Sequence, residues 1–273
     1  MSNCAGRIGS RLWSGDTVVT PASALPASLA APPPPEEGVL TACHFPQPQP
    51  YLPVWAWQQQ LAAARAADHV GDLLLLLEHE HVYTLGRRGD AAHLLADAAT
   101  LTRLGATCHR VDRGGDITYH GPGQLVGHPI VRLRGAGRGV RAYVNALETA
   151  LIEAVAAFGI AATVLPGRTG MWVGQQKVAA LGITVSRGVA YHGFALNVAP
   201  DLAYFARIIP CGIADAGVTS LAALLGRTIT VEEVAPICAR AVAAACSLQL
   251  RWVKAEALAR WPVTCPAHRV ADR

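Results

Sequence analysis

Three short stretches of this sequence carry side chains that packing alone does not explain. Cys211 lies in IIPCGIAD, between Pro210 and Gly212. It differs in setting from Cys238 and Cys246, which fall in periodic apolar segments where a cysteine acts as a small hydrophobe. A thiol on a loop is suited to nucleophilic exchange of an acyl group, because its thiolate attacks thioesters readily. Lys177, in QQKVAALGITVS, is one of only two lysines; the other 21 of the 23 basic residues are arginine. A chain so biased toward Arg keeps Lys where a cation must also be able to lose its proton, which Arg does not do in proteins. The third stretch is RGGDITYHGPGQ, Arg113 to Gln124, with four glycines among polar side chains. Glycines let backbone N–H groups approach a ligand closely. Read for structure alone, this stretch is a long hairpin, Lys177 a solvated cation and Cys211 an ordinary loop residue.

The chemistry asks for a partner to the thiol. A free cysteine, with a pKa of about 8.5, is only slightly ionised at neutral pH. A cation about 4 Å away, at an effective dielectric of about 20, attracts the thiolate by about 4 kcal/mol before desolvation is counted. After desolvation a shift of about one to two pKa units is reasonable. Lys177 is one candidate for this role. His120 or His192, acting as a base on Cys211, is the other, and the residues leave both open.

The elements that must position these groups follow from periodicity. The residues at 54–67 read as a helix, and 140–158 as a longer one closed by Gly159. Thr219 or Ser220 can cap a short helix ending at Gly226, Thr230 a helix over 231–246, and a last helix is expected over 255–261. Strands are expected at 72–78, 82–86, 106–113, 125–133, 161–165, 170–173, 178–186, 189–198 and 248–253. DLLLLL at 72–77 is short and apolar throughout, as in a strand covered on both faces. Many strands with hairpin-like neighbours and flanking helices make an α+β fold with a mixed, largely antiparallel sheet. Residues 1–50, rich in Ala and Pro, read as a disordered extension; the catalytic domain is expected over 51–262 and a flexible tail over 263–273.

Composition removes other classes. With 52% hydrophobic and 15% charged residues, the chain is far too apolar to be disordered as a whole. A net charge of +4 allows an acidic partner but does not call for nucleic acid. Seven cysteines without a C-x-x-C pair do not make a disulfide scaffold or a zinc site. His79 and His81 alternate without a third ligand, so no metal is expected. Prolines interrupt the longest uncharged run, at 17–35, which excludes a membrane span there. The N-terminus lacks the apolar core of a secretory signal. A cytoplasmic monomer is the expectation.

Together the motifs resemble the octanoyltransferases of the lipoate-protein ligase B family. RGGDITYHGPGQLVGHPI is similar to the family signature, KVAALGI to its lysine strand, HGFALNV to its acyl-pocket strand, and PCGI followed by VTSL to its nucleophile loop. LLLLEHEHVYTLGRRG looks like the family's opening strands. The likeness runs from about Tyr51 to Trp252. It departs at Glu80 and His81, where the family usually has two prolines, and at His128, where Tyr is common.

The resemblance implies the biotin/lipoate protein ligase catalytic fold. It also implies transfer of an octanoyl or lipoyl group from acyl carrier protein to a lysine of a lipoyl domain. Acceptors would be the E2 subunits of 2-oxoacid dehydrogenases and the glycine cleavage H protein. Cys211 would carry the acyl thioester and Lys177 would lower the thiol's pKa and act as acid and base, with no cofactor. The acyl pocket would comprise Arg113, Gly114, Gly115, Asp116, Ile117, Thr118, Tyr119, His120, Ala180, Leu181, Gly182, Gly193, Phe194 and Ala195. An exposed set of arginines (Arg87, Arg88, Arg132, Arg134, Arg138, Arg141) would suit an acidic carrier protein. The rival readings are an ATP-dependent lipoate or biotin ligase, which shares the fold, and a non-catalytic lipoyl-domain binding protein.

Overall fold

The computed structural model describes residues 35–133, 139–209 and 217–259. The chain opens with strand β1 (Val39–His44), helix α1 (Tyr51–Ala66), β2 (Asp72–Leu77) and β3 (Val82–Leu85). Helix α2 (Ala98–Arg103), β4 (Thr107–Arg110), β5 (Ile117–His120) and β6 (Gln124–Arg132) follow. Next come helix α3 (Val140–Ala156), β7 (Thr163–Leu165), β8 (Arg168–Val173), β9 (Gln176–Ser186) and β10 (Val189–Asn197). The chain then adds β11 (Gly217–Val218), α4 (Leu221–Leu225), α5 (Val231–Ala245), β12 (Gln249–Trp252) and α6 (Ala255–Ala259).

Nine strands form the main sheet, in the order β12-β1-β2-β6-β10-β9-β8-β7, with β11 paired to β9. The pairs β12–β1, β1–β2 and β11–β9 are parallel, and the others antiparallel. A small second sheet has the order β4-β3-β5. The fold is therefore the expected α+β arrangement with a mixed sheet.

The run of leucines in β2 shows why the sheet is covered on both faces. Side chains alternate along a strand. Leu74 and Leu76 pack in a core with Leu147, Leu151 and Val155 of α3 and Val234, Cys238 and Val242 of α5. Leu73 and Leu75 instead meet Leu61 and Ala62 of α1. The caps act as their residue types predict. Ser220 accepts from the Ala223 N–H, Thr230 accepts from the Glu233 N–H, and Gly226 ends α4 with a left-handed φ of 63°.

The domain boundary needs correction. Residues 39–44 (VLTACH) form a strand whose first five residues are buried, between β12 and β2, so the fold starts near Val39 rather than at 51. The strand sits between APPPPEEG and FPQPQP, and averaging over 1–50 hid six residues of strand inside proline-rich flanks. Residues 1–34 and the proposed tail at 263–273 lie outside the described residues. No described helix is long and apolar enough to cross a membrane.

Candidate active site

A cavity of about 630 Å³ is lined by both sheets. Its walls include residues 113–118 and His120 of the glycine-rich stretch, Lys177 and residues 180–183 of β9, and residues 192–195 of β10. Every residue expected in the acyl pocket lines it except Tyr119, and Lys177 lines it too.

Close backbone approach builds the wall. The Gly114 N–H donates to the Ile183 carbonyl at 3.0 Å, laying the loop on β9. A Cβ on Gly182 would stand 2.8 Å from the Gly114 carbonyl oxygen, so only glycine allows this contact. Arg113 anchors the loop from the other side. Its Nε and Nη2 donate to Thr84 Oγ1 at 3.1 and 3.0 Å, and Nη2 also donates to the Thr84 carbonyl at 2.6 Å. Asp116 accepts from the Asp90 N–H and lies 2.6 Å from His93 Nδ1.

Tyr119 departs from the expected pocket because of strand parity. The glycine-rich stretch contains a four-residue strand, β5, and alternation sends Tyr119 to the opposite face from His120. There its ring packs on Tyr83, Tyr204 and Phe205, and its hydroxyl lies 2.7 Å from His81 Nδ1. The His81 ring stacks on Tyr204 at 4.3 Å, so a position that departs from the family motif takes part in this aromatic cluster.

Lys177 sits where three strands meet. It pairs with Trp172 of β8 and Val218 of β11, and its Nζ lies 4.8 Å from the center of the buried Trp172 ring. A cation over an indole face gains about 0.5–2 kcal/mol. The pairing with β8 is bulged. Met171 faces Ala179 and Trp172 faces Lys177, so Val178 is an extra residue on β9. Val178 and Ala179 are both fully buried, between Lys177 and residues 180–183, all of which line the cavity.

Cys211 lies outside the described residues, as do Arg134 and Arg138. The chain leaves them after Ile209, whose N–H donates to the His93 carbonyl, and returns at β11 beside Gln176 and Lys177. Four other cysteines are described: Cys43, Cys238 and Cys246 are buried and Cys108 is half-buried. Burial pushes the thiols of Cys43 and Cys238 up to about 12 and that of Cys108 up to about 11. These three are protonated thiols at neutral pH and poor nucleophiles.

The histidines separate. His192 pairs with Ile183 in the register, six residues along β9 from Lys177, or roughly 18 Å at the strand rise. Its Nε2 lies 2.7 Å from Asp112, which also accepts from Trp55 Nε1 and the Tyr191 hydroxyl. Those bonds hold the Asp112 carboxyl well below the usual carboxylate range, even against its partial burial. His192 therefore serves the far end of the cavity. His120 is tied to the Lys177 end through Gln124 and Asn197, two amides the sequence reading passed over. Asn197 ends an otherwise apolar strand, HGFALN, and a buried amide in that place was the available signal.

Of the six arginines, Arg134 and Arg138 lie outside the described residues, and Arg87, Arg88 and Arg141 are exposed. Arg88 also lines the cavity, Arg87 donates to Thr184 Oγ1, and Arg132 donates to the Arg65 and Ala66 carbonyls at the end of α1.

Gly127 sets the room for the Phe194 ring. A Cβ there would fall 2.2 Å from Phe194 Cζ. Gly127→Ala should push that ring toward the cavity it lines. Overpacking of this kind costs about 1–3 kcal/mol. The melting midpoint should fall, and, if the cavity takes the acyl chain that the resemblance implies, acyl loading should decline more for octanoyl than for butanoyl donors. An equal decline for both chain lengths would contradict this geometry.

The sequence pattern of the family described as "Lipoyl protein ligase A/B catalytic domain" matches residues 50–243. The chain belongs to this family. Among curated relatives, the octanoyltransferase of Solibacter usitatus is 53% identical over 177 residues, covering 65% of this chain and 80% of its own. The octanoyltransferase of Gloeobacter violaceus is 50% identical over 195 residues, covering 71% of this chain and 85% of its own. Among solved structures, a bi-partite lipoate protein ligase from Thermoplasma acidophilum superposes with a TM-score of 0.62. It is 15% identical and covers 82% of this chain and 90% of its own, a likeness of fold alone. The two sequence relatives are thus named octanoyltransferases, while the structural likeness is to a protein named a ligase.

Proposed function

We propose that this chain transfers an octanoyl group from acyl carrier protein to a lysine of a lipoyl domain, with Cys211 carrying the acyl thioester and Lys177 moving the protons. The observation that carries this reading is the placement of Lys177 in a cavity walled by the expected acyl-pocket segments. Identity of about half to curated octanoyltransferases supports it.

Each demand of the reaction has a group to meet it. The donor is already a thioester, so exchange with a thiolate is nearly isoenergetic and needs no ATP. The Lys177 ammonium, steadied by Trp172, stabilises the thiolate and then gives a proton to the departing carrier thiol. Acylation removes the anion beside the amine. The neutral amine next takes a proton from the incoming lysine as that nitrogen attacks the thioester carbon. Cys211 leaves as thiolate and the cation is restored. Ala180, Leu181, Phe194 and Ala195 offer apolar surface to the tail, and burying about six methylenes contributes about 5 kcal/mol. The acceptors on this reading are the lipoyl domains of 2-oxoacid dehydrogenase E2 subunits and the glycine cleavage H protein. The compartment on this reading is the cytoplasm.

Intact mass spectrometry after incubation with octanoyl acyl carrier protein, without ATP, tests the reading. One octanoyl group should be added, released by hydroxylamine and absent in Cys211→Ser. Dependence on ATP, with activity kept in Cys211→Ser, would favour a ligase; no adduct and no transfer would favour a binding protein.

A further inference from the structure

A buried chain of hydrogen bonds joins His120 to the strand beside Lys177. Asn197 Nδ2 donates to the Thr219 carbonyl at 3.0 Å, and the Thr219 N–H donates to the Lys177 carbonyl at 3.0 Å. Gln124 Nε2 donates to Asn197 Oδ1 at 2.9 Å and to the Tyr119 carbonyl at 3.2 Å. Gln124 Oε1 lies 2.8 Å from His120 Nδ1.

The direction of every bond is forced. A backbone carbonyl only accepts, so Thr219 O fixes which end of the Asn197 amide faces it. Tyr119 O does the same for Gln124. The Gln124 oxygen is then the atom facing His120, and the histidine must present N–H at Nδ1. The nitrogen that carries the proton in a neutral imidazole is set by the hydrogen bond its ring makes. Burial, with His79 and Arg113 nearby, holds the His120 pKa well below the ordinary value, so the ring is neutral at pH 7.

We propose that Gln124 and Asn197 are positioning residues that lock His120 as the Nδ1–H tautomer, so that its Nε2 can only accept a hydrogen bond from substrate. This rests on the acyl-transfer reading and deepens it. An imidazole that only accepts at Nε2 offers nothing to a thioester carbonyl oxygen. It suits an N–H, and the reaction brings one to the thioester in its second half: the amine of the acceptor lysine. His120 would align that amine while Lys177 removes the proton. Gln124 and Asn197 would act only through His120 and through the Thr219 link.

The tautomer is read directly by ¹⁵N NMR of the full chain labelled at histidine, with His120 assigned by its loss in His120→Asn. The expected spectrum has Nδ1 protonated and Nε2 bare at pH 7; a protonated Nε2 overturns the proposal. Single-turnover kinetics give the second readout, on Gln124→Met and Asn197→Ser. Loading of Cys211 from octanoyl carrier protein should stay within about threefold, while transfer to a lipoyl domain falls about tenfold or more, the usual scale for losing an outer hydrogen-bond partner. An equal fall in both half-reactions, or unchanged transfer, overturns the proposal. If the wild-type protein never acquires an octanoyl group, the transfer reading fails, while the tautomer measurement still decides the hydrogen-bond chain.

Discussion

Lys177→Arg should stop transfer while leaving the enzyme able to load. The substitution keeps a positive charge at the junction of β8, β9 and β11, so a thiolate can still be stabilised. A guanidinium neither protonates the departing carrier thiol readily nor takes a proton from the attacking amine. Both half-reactions should slow, the second by far the more, because general-base assistance contributes about 10²- to 10⁴-fold. The acyl-enzyme should therefore accumulate, visible as a persistent octanoyl adduct with little lipoyl-domain product. Lys177→Met, lacking the charge as well, should show neither adduct nor product. The packing supports comparing the two, since Lys177 is only half buried and its neighbour Trp172 holds its own bond to the Arg168 carbonyl. Equal transfer by Lys177→Arg and wild type would remove the lysine from the proton path.

The second large effect concerns acid. His79 is fully buried, its Nδ1 lies 3.0 Å from the Gln49 carbonyl, and its Nε2 lies 3.4 Å from His128 Nε2. The carbonyl requires N–H at His79 Nδ1, so His128 supplies the proton between the two Nε2 atoms. A second proton there would set two N–H groups against each other. Burial lowers the His79 pKa to about 4 and holds those of His120 and His128 well below the usual value. The unfolded chain protonates near 6.5, so below that pH it binds protons the folded chain refuses, and stability falls as pH falls. Each such histidine costs about 1.4 kcal/mol per pH unit. For His79 alone the loss between pH 6.5 and 4 is about 3 kcal/mol, and a domain is typically stable by only about 5–15 kcal/mol. Urea midpoints should drop steeply across that window. His128→Tyr removes one of the refused protons and should flatten the slope by about one proton. A flat profile from pH 7 to 4.5 would contradict the neutral, buried assignment.

Much of the fold was legible because the periodicities were clean. The helices at α1, α3 and α5 and the strands β2, β6, β9 and β10 lie where apolar spacing and caps put them, within a few residues. What escaped were short pieces inside misleading surroundings. β1 is six residues between proline runs, and β5 is four residues inside a glycine-rich stretch. Local propensity cannot see that a neighbouring strand supplies the missing hydrogen bonds. β5 bears directly on the site: the resemblance put Ile117 to His120 all in the pocket, whereas strand alternation turns Tyr119 away. The amides of Gln124 and Asn197 escaped for a different reason. Their significance is relational, since each matters through a carbonyl far off in sequence.

The extra residue at Val178 has a consequence for how the chain tolerates change in length. Which face a strand residue occupies is decided by counting from its neighbours, and on β9 the count is offset once, one residue from the lysine. Removing Val178 would restore regular alternation with β8 and turn position 177 toward the opposite side of the sheet. Every chemical group would still be present, in the same order, and most of the strand pairing could survive. A family member with that single deletion would keep the lysine, the glycine-rich stretch and the acyl-pocket strand in the same order, with only the KVAALGI run one residue shorter, and on the proposed mechanism it would lack its working amine.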